Sequence, residues 1–138
     1  MFDVYSRLIG DVEPMEVLAG AEGLGVGMAA VLTGGALAKC GPSACPTHIV
    51  AGVAKTRDGG VAYPAIRVLP TTIFETRAGS TAVSADHLGE AVTLGADALT
   101  VTGTTAGGVF VVNYTDGAVG GVVRGSFKEP APQAAPAN

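Results

Sequence analysis

The sequence predicts an all-β domain, built as a small antiparallel β-barrel or as a β-tulip or sandwich. One reason is composition, because 138 residues of which 48% are hydrophobic can fill one core. Another is that the apolar runs are short, rich in Val and Thr, and interrupted by Gly. Turn signals recur at intervals of roughly ten to twelve residues, which suits antiparallel strands. A parallel α/β sheet would need amphipathic helices, and none longer than two turns is visible.

The strands are expected where such runs are bounded by Gly, Asp or Pro. About seven to nine strands follow from the runs 26–32, 49–54, 65–69, 91–94, 99–102, 109–114 and 119–127. The connections contain residues that tolerate a positive φ, as in Thr33-Gly34-Gly35 and Arg57-Asp58-Gly59-Gly60. These connections predict hairpins.

The two ends differ from the body in composition. Residues 1–17 mix aromatic, acidic and apolar types around Gly10 and Pro14 without clear periodicity, which indicates an N-terminal arm. Residues 18–128 form the predicted β-rich domain. Residues 129–138 are dominated by Pro and Ala, and because proline interrupts hydrogen-bonded structure they predict a flexible tail.

Charge and hydropathy argue against nucleic acid and membrane as partners. The net charge is −4, and the eight basic residues are scattered singly, so no stripe is available to neutralise phosphates. The longest apolar stretch, residues 18–38, contains Glu22, Thr33 and several glycines, which makes it a poor membrane-spanning helix. The N-terminus shows no basic region followed by an apolar one, so no secretory signal is expected.

Motifs for catalysis or cofactor binding are weak. Gly23, Gly25 and Gly27 resemble a phosphate loop, but the spacing is not that of a dinucleotide fingerprint and a strand, not a helix, follows. Ser84 and Asp86 share one face of an extended chain while His87 points away, so no catalytic triad is assembled locally. We therefore expect neither an enzyme nor a cofactor.

Cys40 and Cys45 flank a short loop that precedes His48. A structural zinc site usually needs four ligands, and His87 is distant in sequence, so a metal is not expected. Two readings stay open for the cysteines. They can form a disulfide across the loop, or they can stay as free thiols in an intracellular product, and the second is favoured.

Three consecutive segments carry a resemblance to a known family. They are Leu24-Gly25-Val26-Gly27-Met28-Ala29-Ala30-Val31-Leu32, then Gly34 to Lys39, then Pro46 to Ala51. In pattern and turn placement they resemble the opening hairpins of small capsid decoration proteins of tailed bacteriophages. The resemblance covers residues 17–127, and the long Pro/Ala tail departs from the family.

The resemblance implies a structural virion protein that binds the outside of an icosahedral capsid and stabilises it. Its partners would be the major capsid protein and two further copies of itself, in a homotrimer. It would be made in the host cytoplasm and located on the outer capsid surface. Family members bind by strand addition through the arm, and the matching residues here would be Phe2, Val4, Tyr5, Leu8 and Ile9. A disordered terminus is the alternative.

A different class of function is also open. The chain could be a soluble β-sandwich binding module for a small ligand or a glycan. Such a module would need a concave pocket, and the polar side chains that could line it are Tyr63, Arg67, Glu75, Arg77 and Tyr114.

Overall fold

The computed structural model describes residues 1–7 and 15–129, and it confirms the all-β prediction. Within these two ranges the chain forms eleven strands and a short 3₁₀ turn at Ala85–His87. The strands are β1 (Asp3–Ser6), β2 (Met15–Gly20), β3 (Ala29–Thr33), β4 (Ala36–Lys39), β5 (His48–Val50), β6 (Lys55–Arg57), β7 (Gly60–Arg67), β8 (Ile73–Arg77), β9 (Ala91–Val92), β10 (Phe110–Thr115) and β11 (Val122–Phe127).

Five of the strands close into a small barrel. The order is β2-β4-β3-β5-β7, and β7 pairs back with β2 to complete the ring, while β6 extends the sheet from β7. The barrel pairings are antiparallel except for β2 with β4, which are parallel at Gly20 and Leu37. Closure removes free sheet edges, which is how small β proteins avoid unwanted pairing.

The other strands form an open antiparallel sheet in the order β1-β8-β11-β10-β9. In β11 buried and outward residues alternate strictly, and Val123, Gly125 and Phe127 are buried. The outward positions between them carry polar side chains such as Arg124 and Ser126. One face of this sheet therefore covers a core, and the other faces solvent.

The described residues form two hydrophobic cores. The barrel interior is filled by side chains that include Leu37, Val50 and Tyr63, and the Tyr63 hydroxyl donates a hydrogen bond to the Ala21 carbonyl at 2.7 Å. The second core lies between the open sheet and the outer wall of the barrel. Four phenylalanine rings meet there, with centroids 5.1 Å to 5.8 Å apart; they belong to Phe2, Phe74, Phe110 and Phe127.

Six of the seven predicted runs overlap a strand, but the run 99–102 does not. Its Val101 forms only isolated bridges, to Ala78 and Leu94. The structure adds β1, β2, β4, β6 and β8, so the strands exceed the predicted seven to nine. The predicted hairpins at Thr33-Gly34-Gly35 and Asp58-Gly59 are present, and the residues between their strands have positive φ.

The described part of residues 1–17 differs from the predicted arm. β1 pairs with β8 in the open sheet, and β2 pairs with β7 in the barrel. Phe2 is only 2% exposed, because its ring packs in the second core. The start of the chain is therefore part of the body. The predicted flexible tail lies outside the described residues from residue 130 onward.

Candidate interaction surface

The solvent face of the open sheet carries a layered group of side chains around Arg124. The guanidinium carbon of Arg124 lies 4.0 Å from the ring centroid of Tyr5 and 4.6 Å from that of Tyr114. On the same face, the Nε atom of Arg124 donates a hydrogen bond to Oε2 of Glu75 at 2.8 Å. We call these four residues the Tyr–Arg–Tyr stack. It gathers side chains from β1, β8, β10 and β11.

Two irregularities of the sheet place the tyrosines beside Arg124. In β1 the register shifts between Val4 and Ser6, so Tyr5 is the extra residue of a bulge. In β10 the register shifts between Val112 and Tyr114, which brings Tyr114 directly opposite Arg124. A bulge re-aims side chains that strict alternation would point elsewhere, and bulges are frequent beside functional sites.

The stack holds the guanidinium group of Arg124 in one orientation. The hydrogen bond to Glu75 is the main cause that raises the pKa of Arg124 above its ordinary value. The aromatic faces add cation–π attraction, worth about 0.5–1 kcal/mol at an exposed site. Because the ion pair itself is partly exposed, it contributes little stability. Its main effect is to fix geometry.

Both tyrosines are exposed despite these contacts. Tyr5 is 53% exposed and Tyr114 is 43% exposed. Tyrosine and arginine are the residue types most enriched at the energetic centres of protein interfaces. An ordered group of this kind on a solvent face is therefore a candidate binding surface.

The neighbouring edge of the sheet is also open. β1 pairs with β8 on one side, and no other strand of the described chain pairs with its second side. An unpaired strand edge offers backbone donors and acceptors to another chain. The stack and this edge adjoin, since Tyr5 belongs to β1.

The structure gives the predicted arm residues three different environments. Phe2 is in the core, and Val4 is half-buried against that core. Tyr5 is exposed in the Tyr–Arg–Tyr stack. Leu8 and Ile9 lie outside the described residues.

The cysteines are free thiols in the structure. Burial raises the pKa of Cys40 to about 12, and its Sγ donates a hydrogen bond to the Ala44 carbonyl at 3.0 Å. Burial also raises the pKa of Cys45. Since the thiolate is the reactive form, neither cysteine is set up as a nucleophile.

His48 belongs to a polar cluster at one end of the barrel. Its Nδ1 lies 2.8 Å from Oγ1 of Thr47, and its Nε2 lies 3.3 Å from Oε1 of Glu16. Arg67 donates to the same Glu16 oxygen, from Nη2 at 2.6 Å and from Nε at 3.0 Å. These hydrogen bonds from His48 and then Arg67 lower the pKa of Glu16. The cluster joins β2, β5 and β7, so we interpret it as a structural contact that helps to hold the barrel closed.

Across residues 1–7 and 15–129, no group of three His, Cys, Asp or Glu side chains is arranged to hold a metal.

Of the five polar residues predicted for a ligand pocket, only two are brought together. Tyr63 is 1% exposed inside the barrel, and Arg67 lies at the barrel end. Glu75 and Tyr114 meet in the stack, through Arg124. Arg77 lies at the end of β8, where its Nη1 donates to the Gly120 carbonyl at 3.1 Å.

Sequence reasoning missed Arg124, which is the centre of the stack. A signal was available, because Val122, Arg124 and Ser126 alternate with the buried residues of β11 and so share the solvent face. Strict alternation from the buried Val112 would have placed Tyr114 on the buried face. Tyr114 and Arg124 meet only because of the bulge in β10, and no pattern in the sequence predicts that bulge.

Comparison with protein-family models, with curated proteins and with solved structures finds no match for this chain. A search of the described residues for a helix long and apolar enough to cross a membrane also found none.

Proposed function

We propose that this chain is a structural virion protein that binds the outer surface of an icosahedral phage capsid and stabilises it. Its partner would be the major capsid protein, and it would act as a homotrimer. The observation that carries the proposal is the exposed Tyr–Arg–Tyr stack beside the open edge of β1. The resemblance of residues 17–127 to capsid decoration proteins supplies the class of partner.

The compact body suits this role physically. A closed barrel packed against a sheet gives a rigid support, so the stack is held in place before a partner arrives. Preorganisation reduces the entropy lost on binding. Weak individual contacts suffice on a capsid, because a trimer that meets three equivalent sites gains avidity without new contacts.

The binding test uses empty shells assembled from the major capsid protein of the same virion. Purified protein is mixed with shells and with unassembled capsid subunits, and binding is measured by sedimentation. We expect saturable binding to shells. Absence of binding to intact shells would overturn the proposal.

The variant for this test must leave the body folded. Deletion of residues 1–14 would remove Phe2 from the core, so lost binding could reflect unfolding. The double variant Tyr5→Ser with Tyr114→Ser removes only exposed rings. Val53→Ser is a matched control, since Val53 is 76% exposed and lies outside the stack. We expect the double variant to lose shell binding and the control to keep it.

The homotrimer is tested separately, by light scattering after size-exclusion chromatography. A trimer in solution or on the shell supports this part of the proposal. A protein that is monomeric both in solution and on the shell would overturn the homotrimer. Capsid binding itself would still be decided by the sedimentation test.

A soluble binding module is the second candidate, and a groove at the barrel end favours it. The groove has a volume of about 440 Å³, and Arg67, Leu69, Phe127 and Lys128 contribute to its lining. This volume lies within the range of small-molecule sites. A screen of small ligands and glycans by thermal shift tests it. A ligand that stabilises the wild type but not Lys128→Ala would favour this candidate.

A further inference from the structure

We infer that the Tyr–Arg–Tyr stack binds a carboxylate side chain, Asp or Glu, presented by a protein partner. This inference rests on the proposed function, in which that partner is the capsid surface. It assigns the chemistry of the contact, which neither the fold nor the resemblance specifies.

The first step concerns which part of Arg124 is open. A guanidinium group is planar, so it has two faces and an edge of N–H donors. The guanidinium carbon lies over the rings of Tyr5 and Tyr114, and the Nε side of the edge is bonded to Glu75. Within residues 1–7 and 15–129, the two Nη atoms have no hydrogen-bond partner, and the side chain is 27% exposed. The Nη edge is therefore the part that can meet a ligand.

The second step concerns the chemistry that fits this edge. Two parallel N–H groups match the two oxygens of a carboxylate, which gives a bidentate, charge-assisted pair. Lysine cannot reproduce this fork or its stacking between rings. Since the rings and Glu75 already restrict Arg124, little side-chain entropy is left to lose on binding.

The charges around the stack select the type of partner. Asp3 lies opposite Glu75 in the sheet, so two carboxylates adjoin on this face. Arg77 on β8 and Arg124 on β11 balance them, and the whole chain carries −4. Because these charges balance, the face offers no basic patch that could neutralise the run of phosphates in a polyanion such as nucleic acid. A single carboxylate on a folded protein surface can reach the Nη edge, and unlike a nucleic acid it does not bring a series of further negative charges to this face. Protein is therefore favoured over nucleic acid.

The experiment on shells uses chemical removal of their carboxylates. Shells are amidated with a carbodiimide and ethanolamine, or mock-treated. Electron microscopy then checks that the particles of both preparations are intact. We expect the wild type to bind mock-treated shells and to lose at least about tenfold in affinity for amidated shells. Arg124→Lys should show a similar loss on mock-treated shells, whereas Arg77→Lys should bind as the wild type does. Equal binding of the wild type to both kinds of shell would overturn the inference while leaving capsid binding intact.

A second measurement does not depend on shells. The Nε–Hε resonance of Arg124 is followed by NMR during titration with N-acetyl-glutamate amide and with N-acetyl-glutamine amide, which has the same shape without the charge. A saturable shift with the glutamate compound alone supports the inference, even if no shell is bound and the proposed function fails. No shift, or equal shifts with both compounds, overturns it. Tighter binding to a DNA duplex than to the glutamate compound would overturn it in favour of a phosphate ligand.

Discussion

Arg124 lies with its guanidinium carbon 4.0 Å from the centre of the Tyr5 ring, although β1 and β11 are not neighbours in the sheet. β8 lies between these strands and contributes Glu75, whose Oε2 accepts a hydrogen bond from Nε of Arg124. The contact therefore connects the first and the last strand of the described residues. It exists only because the first residues are integrated into the body.

That integration predicts that Phe2 is essential for stability. Its ring packs against Phe110 and Phe127, so Phe2→Ala should leave a cavity and lower the free energy of unfolding by about 3 kcal/mol or more. The measurement is urea unfolding followed by far-UV circular dichroism. Tyr5→Ala is the matched control, and because that ring is exposed its cost should stay within about 1 kcal/mol. Equal stability of Phe2→Ala and wild type would show that residues 1–6 are not part of the core.

Gly125 is predicted to be irreplaceable for steric reasons. A Cβ atom at this position would lie 2.0 Å from the Val111 carbonyl oxygen and 2.9 Å from Cε1 of Phe110. Gly125→Ala should therefore separate β10 from β11 and cost about 1–3 kcal/mol or more. At Gly25 an added Cβ meets nothing within 4 Å, so Gly25→Ala should change stability by about 0.5 kcal/mol at most. Thermal unfolding of both variants decides this, and a tolerated Gly125→Ala would count against the pairing of β10 with β11.

The polar cluster at the barrel end predicts a pH dependence. The pKa of Glu16 is lowered from 4.5 in the folded state, first by the hydrogen bond from His48 and then by that from Arg67. The unfolded chain therefore binds the proton more readily. The stabilisation from Glu16 is present above pH 4.5 and is lost as the pH falls through the lower pKa of the folded state.

The stability difference between wild type and Glu16→Gln isolates this effect. We expect the difference to shrink as the pH is lowered from about 6 to about 3, measured by urea unfolding at each pH. The exposed Glu22 provides a control, and Glu22→Gln should show no such trend. A difference that stays constant over this range would exclude the proposed role of the Glu16 carboxylate.

The cysteines are predicted to differ in reactivity. With a pKa of about 12, Cys40 is ionised in only about one molecule in ten thousand at pH 8. Alkylation with iodoacetamide, followed by mass spectrometry, should modify Cys45 first, since Cys45 is less buried. In urea the chain is unfolded and both thiols are exposed, so the alkylation rates of Cys40 and Cys45 should become similar. Rapid alkylation of Cys40 in the folded protein, or recovery of a Cys40–Cys45 disulfide, would contradict the free, buried thiol.

Sequence reasoning reached the fold class because turns and strand propensities are local. The turn at Gly34-Gly35 needs positive φ, which glycine adopts readily, so the two residues themselves predict the turn. The edge and short strands were harder to predict. β6 is only three residues long, and β1 is stabilised by pairing with the distant β8 more than by its own composition.

The candidate surface could be predicted only in part. Tyr5, Glu75 and Tyr114 were each singled out from the sequence, but for two different hypotheses. Their meeting at Arg124 depends on two bulges and on strand order, which are long-range properties. Phe2 was assigned to a partner interface because an apolar residue near a terminus suits an arm as well as a core, and only tertiary packing separates these roles.

The central claim is that the solvent face of the open sheet meets the capsid, and tyrosine nitration tests it most directly. The chain has three tyrosines. In the free protein Tyr5 and Tyr114 should react with tetranitromethane, while the buried Tyr63 should not. On saturated shells, mass spectrometry should find both exposed tyrosines protected by about tenfold or more, as expected for side chains desolvated at the centre of an interface. Unchanged nitration of Tyr5 and Tyr114 on shells that carry bound protein would show that another face makes the contact.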